Sequence, residues 1–105
     1  MIHSDWKSCT ITTTTSDTTS AEVDLEKPYE ELEVYIPTLT SSTLALHVSE
    51  TAGGTYSAAG NSVTIPASTG GYFDIWHLGG NQHIKIVCGS AQAANRTFRV
   101  RGVRS

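Results

Sequence analysis

Apolar and polar residues alternate in short runs along most of the chain. The clearest run is Leu32-Glu33-Val34-Tyr35-Ile36-Pro37, followed by Thr43-Leu44-Ala45-Leu46-His47-Val48-Ser49 and then by Ala52-Gly53-Gly54-Thr55-Tyr56. A period of two sends every second side chain to one face of a strand, so one face packs and the other stays wet. Read this way, the chain predicts about eight strands, at 10–15, 22–25, 32–36, 44–48, 61–66, 72–76, 84–88 and 97–103. Their inward residues are Val23 and Leu25, then Leu32, Val34, Ile36, Leu44, Leu46 and Val48, then Val63 and Ile65. Toward the C-terminus Ile84, Ile86 and Cys88 point inward, and Phe98 and Val100 alternate with Arg99 and Arg101. The strand at 72–76 is apolar on both sides, with Phe73 and Ile75 against Tyr72 and Trp76; the expectation is that Tyr35 and Tyr72 face outward.

Turn chemistry separates these runs. Pro37 lacks a ladder donor and ends its strand. Gly53-Gly54, Gly70-Gly71 and Gly79-Gly80-Asn81 suit reversals that need positive φ. Strands of four to seven residues with a turn signal about every ten residues predict a sandwich or barrel, not a parallel sheet. The fold class is therefore all-β: an antiparallel β-sandwich, jelly-roll-like. Residues 1–105 form one domain, with 1–8 a candidate N-terminal arm.

Composition agrees with strands. Serine and threonine supply roughly a quarter of the chain, whereas only 16% is charged against about 25% in ordinary domains. The branched Cβ of threonine suits a pleated surface. The net charge of −3 is unevenly spread. Glu22, Asp24, Glu26, Glu30, Glu31 and Glu33 crowd one early stretch, while Lys85, Arg96, Arg99, Arg101 and Arg104 follow Gly80 with no acid among them. Two readings stay open: paired strands interleaving their charges on a wet face, or acidic and basic surfaces of neighbouring subunits meeting in an oligomer. The acidic balance and few arginines speak against a nucleic-acid partner. No run approaches membrane-spanning length, so no membrane is expected, and residues 1–7 lack the apolar core of a signal peptide. Cys9 and Cys88 are accordingly expected as small buried thiols, the alternative being a disulfide between them if the first and penultimate strands are neighbours.

The search for chemistry finds little. His3, His47, His77 and His83 show no ligand spacing with another His, Cys or acid, although His77 and His83 flank the Gly79-Gly80 turn. There is no Gly-x-Ser-x-Gly elbow and no phosphate-binding glycine loop before a helix. Asp74 is the sole acid after Glu50, which leaves a carboxylate pair without an obvious second member. No catalytic residue, metal or cofactor is expected, and the chain is read as a non-enzyme. A rival class is sugar binding, in which Tyr35, Tyr72 and Trp76 would form a stacking platform; the alternative is that Trp76 and Phe73 plug the core with the tyrosines at its rim.

From Val23-Asp24-Leu25 through Leu32 to Pro37, Leu44 to Ser49-Glu50 and Gly53-Gly54-Thr55-Tyr56, the order resembles small structural proteins of tailed bacteriophages. His83-Ile84-Lys85-Ile86-Val87-Cys88-Gly89-Ser90 and Ala94-Asn95-Arg96-Thr97-Phe98-Arg99-Val100-Arg101 are similar as well. The resemblance covers most of the chain after Thr18, and residues 1–9 depart from it. It implies a jelly-roll virion component, synthesised in the bacterial host cytoplasm, of the capsid decoration or cement type. Such a protein binds the major capsid protein or other virion subunits and forms a homo-oligomer, with a trimer favoured. A neck, baseplate or tail-fibre module is the alternative. The residues expected at the protein interface are Trp6, Lys7, Arg99, Arg101 and Arg104, because adhesive strands and termini with aromatic and arginine side chains suit that work.

Overall fold

A computed structural model describes residues 2–40, 42–59 and 70–104. These contain nine strands: β1 (Ile2–His3), β2 (Lys7–Ile11), β3 (Val23–Asp24), β4 (Glu31–Ile36), β5 (Leu44–Ser49), β6 (Ser57–Ala58), β7 (Tyr72–His77), β8 (His83–Cys88) and β9 (Arg96–Arg104). They form two antiparallel sheets packed as a β-sandwich. One runs β1-β9-β4-β7, with β2 also on β9, and the other runs β3-β8-β5-β6. The expected strand at 61–66 lies outside the described residues.

The pairings nest. β2 pairs with β9, β3 with β8, β4 with β7 and β5 with β6, so the first half of the chain lies antiparallel along the second as one long hairpin. Further pairing of β4 with β9 and of β5 with β8 rolls that hairpin into two layers. The inward residues expected from alternation meet between them: Leu32, Val34, Ile36, Leu44, Leu46, Ile84, Ile86, Phe98 and Val100 are all fully buried, with Leu25 and Ile11 beside them. Val48 is only partly buried and packs against this core. Cys9 and Cys88 are both free and buried, the expected small thiols rather than a disulfide.

Three features depart from the sequence-based expectation. The threonine-rich run is not a strand over 10–15. Pairing with β9 covers Lys7–Ile11, and the chain then turns, with Thr15 N–H and Ser16 N–H both donating to Thr12 O at 2.9 Å. Residues 2–8, expected as an arm, are instead paired along β9 through β1 and the start of β2. The third concerns β7. Its register sets Phe73 beside Tyr35 and Trp76 beside Leu32, so Tyr72 and Trp76 face the core while Phe73 and Ile75 face out. Trp76 is 2% exposed, and Phe73 and Ile75 are 51% and 50% exposed. Both faces of β7 are apolar, so alternation alone carries no orientation; the partner strand decides it.

Two glycines mark close approaches. A Cβ on Gly102 would overlap the buried ring of Tyr29, which packs against β9 at that residue. One on Gly70 would overlap the backbone at Pro37, where the turn into β7 crosses the end of β4.

Candidate functional site, an aromatic and arginine face

The outer face of the five-stranded sheet is a small lattice of side chains. Antiparallel registry aligns Arg99 on β9, Tyr35 on β4 and Phe73 on β7 in one row. The next row is Arg101, Glu33 and Ile75, and the third is Val103, Glu31 and His77. Cross-strand neighbours on one face sit close enough for direct contact. Tyr35 and Phe73 meet edge to face with centroids 5.2 Å apart, a favoured geometry because the positive edge of one ring meets the negative face of the other.

Trp6 reaches this face from a bulge. β1 ends its pairing at His3↔Val103 and β2 begins at Lys7↔Val100, which leaves three residues (4, 5, 6) facing two on β9 (101, 102). The excess residue bends the segment, as a β-bulge does. Ser4 anchors the bend, exchanging hydrogen bonds of 2.9 Å with both backbone groups of Gly102. The Trp6 indole then lies 4.5 Å from the Arg101 guanidinium, 5.3 Å from that of Arg99 and 5.8 Å, tilted, from the Phe73 ring. Arg99 also sits 5.1 Å from the Tyr35 ring, so two π faces flank one cation.

The two arginines differ in their partners. Arg101 Nε donates to Glu33 Oε1 at 2.7 Å, with both side chains about three-quarters covered. This realises within one chain the interleaving of acidic and basic strands. Arg99 has no carboxylate partner among the described residues. Lys7 leaves the face: its Nζ pairs with Glu26 at 3.2 Å, across the mouth between the sheets. Arg104 lies opposite Ile2 at the end of β9, two register positions beyond Gly102. Of the five residues expected at an interface, the fold thus brings Trp6, Arg99 and Arg101 together and places Lys7 and Arg104 elsewhere. It adds Phe73 and Ile75, whose outward orientation alternation alone could not indicate. Of the proposed sugar platform only Tyr35 is on this face, since Tyr72 and Trp76 are turned toward the core.

The opposite sheet is closed by its own loop. Glu22 accepts hydrogen bonds from Tyr56 Oη and, at 2.9 Å, from Gly53 N–H, and Lys85 Nζ lies 4.7 Å from the Tyr56 ring. These bonds hold the Glu22 carboxyl below its ordinary range, and burial together with the Glu22 bond pushes the Tyr56 phenol up. His83 is buried on this sheet, with Nδ1 lacking a hydrogen-bond partner among the described residues and Nε2 3.8 Å from Asp24. Asp74, His77 and His83 do not converge. Asp74 accepts from the Trp76 indole at 3.2 Å, His77 projects from the open face, and His83 belongs to the other sheet. Among the described residues no three His, Cys, Asp or Glu side chains group to hold a metal ion.

No protein-family model matches the chain, and no curated protein matches it. Among solved structures it is similar to the SPBc2 prophage-derived protein YomS, known from a crystal structure. The two are 15% identical with a TM-score of 0.57, over 97% of this chain and 95% of that one. A chain of the cyanophage Pam1 capsid asymmetric unit aligns at 23% identity with a TM-score of 0.36, over 96% of this chain and 84% of that chain. The first likeness is one of fold, and it spans nearly the full length of both chains.

Proposed function

We propose that this chain is a non-enzymatic structural subunit of a phage virion, of the capsid decoration or cement type, whose aromatic and arginine face makes a subunit contact in the particle. The observation that carries the reading is that face. Trp6, Phe73 and Ile75 stand 36%, 51% and 50% exposed beside Tyr35, Arg99 and Arg101 on one sheet face. Exposed apolar surface gathered with aromatic and arginine side chains has the composition of a protein-interface centre. A rigid sheet held by strand pairing presents it with little ordering cost on binding. The nested pairing of β2–β5 with β6–β9 supports a jelly roll, which is two sheets made from one rolled hairpin. The fold shared with a prophage-derived protein supports a phage origin.

Co-sedimentation of the purified chain with purified particles that lack it tests this reading. Wild type pellets with the particles, and Phe73→Glu and Arg99→Glu each weaken the association at least tenfold while keeping the native melting profile. Equal pelleting of all three proteins, or of none, contradicts it. Attachment confined to isolated necks or tails moves the subunit from the shell to those structures. A polysaccharide-dependent change in Trp6 fluorescence without particle binding favours the tail-fibre, carbohydrate-binding alternative.

A further inference from the structure

The face that this reading makes a contact surface is charged in a graded way along its strands. At one end is Arg99, flanked by rings and without a carboxylate among the described residues. In the middle row Arg101 and Glu33 neutralise one another at 2.7 Å. At the other end is Glu31, whose side chain is 44% exposed and among the described residues has only the His77 ring as a cationic neighbour, 3.9 Å away and itself 93% exposed. The cationic and anionic ends are each one register row, two residues or about 7 Å, from the neutral row.

We propose that the occupant of this face is a second copy of the same chain, packed sheet to sheet about a two-fold axis that crosses the strands at the Glu33–Arg101 row. A two-fold contact requires a patch complementary to itself, because every residue pair occurs twice. Rotation about that axis lays the Arg99 row over the Glu31 row of the partner subunit and the Glu31 row over the partner's Arg99. Both unsatisfied charges then find partners at once. The middle row meets its own image, so Ile75 packs on Ile75 of the partner subunit, and the exposed rings of Phe73 and Trp6 fill the space on either side. An axis parallel to the strands would instead keep each row level with its own image, so neither Arg99 nor Glu31 would meet an opposite charge in the partner's facing row. A foreign acidic partner satisfies Arg99 alone and leaves Glu31 without a role. Two-fold closure also differs from the threefold assembly that the family resemblance implies, since a threefold ring joins unlike surfaces.

Sedimentation equilibrium on the full chain, with a thermal melt of each variant, tests the pairing. Wild type gives the mass of two copies. Arg99→Glu and Glu31→Arg each weaken association at least tenfold, and the double charge swap recovers most of that loss because it rebuilds both pairs with reversed sign. Ile75→Glu, an exposed site whose change spares the core, abolishes the dimer. A monomer at every concentration, a three-copy mass, or a dimer indifferent to the swap overturns the proposal. A monomer that still needs Arg99 to bind particles overturns the pairing but leaves the virion reading standing. A dimer sensitive to the swap that binds no particle does the reverse.

Discussion

Cys9 shows how much one small side chain does at the corner between the sheets. Its thiol donates to Ser20 Oγ at 3.1 Å, and the same oxygen accepts from Ile86 N–H at 2.9 Å, so a buried serine joins β2 of one sheet to β8 of the other. Burial pushes the Cys9 thiol up from 9.0 to about 11, against the lowering effect of the Ser20 bond. The folded chain therefore keeps this proton to higher pH than the unfolded chain does. The resulting stability is present below pH 9 and is lost as pH rises toward about 11, an effect of about 3 kcal/mol. Denaturant unfolding at several pH values should show Cys9→Ala falling less steeply than wild type between pH 9 and 11. An unchanged slope contradicts the assignment. Cys88 and Tyr56, also raised, keep part of the slope in both proteins. The inward orientation of Cys88 was readable from alternation and the burial of Cys9 from its being a small thiol, but the role of Ser20 was not. Nothing in a run of serine and threonine says which hydroxyl will be buried.

Among the elements, β7 is the one whose behaviour turns on a single residue. It pairs only with β4 among the described residues, so it forms a sheet edge. Such an edge invites pairing with another chain. Asp74 has the inward parity of Tyr72 and Trp76, and its carboxylate accepts from Ile75 N–H at 2.9 Å and from the Trp76 indole. An inward charge and a pre-satisfied amide are both ways of blunting an edge. Asp74→Ala is expected to leave the melting temperature nearly unchanged while increasing thioflavin-positive aggregation on mild heating. Unaltered aggregation contradicts this role. The strands that alternation revealed best, β4, β5, β8 and β9, keep most of their large aliphatic side chains on one face. β7 has apolar residues on both sides, and β1 and β6 are only two residues long, so none of the three carries its orientation or its existence in local pattern. The turn after β2 lacks glycine and proline, and the threonine run hid it.

At the scale of the whole molecule, almost every stabilising pair is remote in sequence, because the chain closes as one long rolled hairpin. The sandwich was legible from strand number and spacing. The site itself was only half legible. Trp6, Arg99 and Arg101 were marked by type, but their meeting with Phe73 and Ile75 depends on registry and on a one-residue bulge, which no local pattern encodes. The central claim is that this chain is a virion subunit whose five-stranded sheet is covered by a neighbouring subunit. A cryo-electron microscopy reconstruction of particles carrying the chain tests it most directly. The account predicts density for the two-sheet sandwich on the particle, with Trp6, Tyr35, Phe73 and Arg99 buried at a subunit contact. Particles without such density, or sandwiches seated with that face open to solvent, would contradict it.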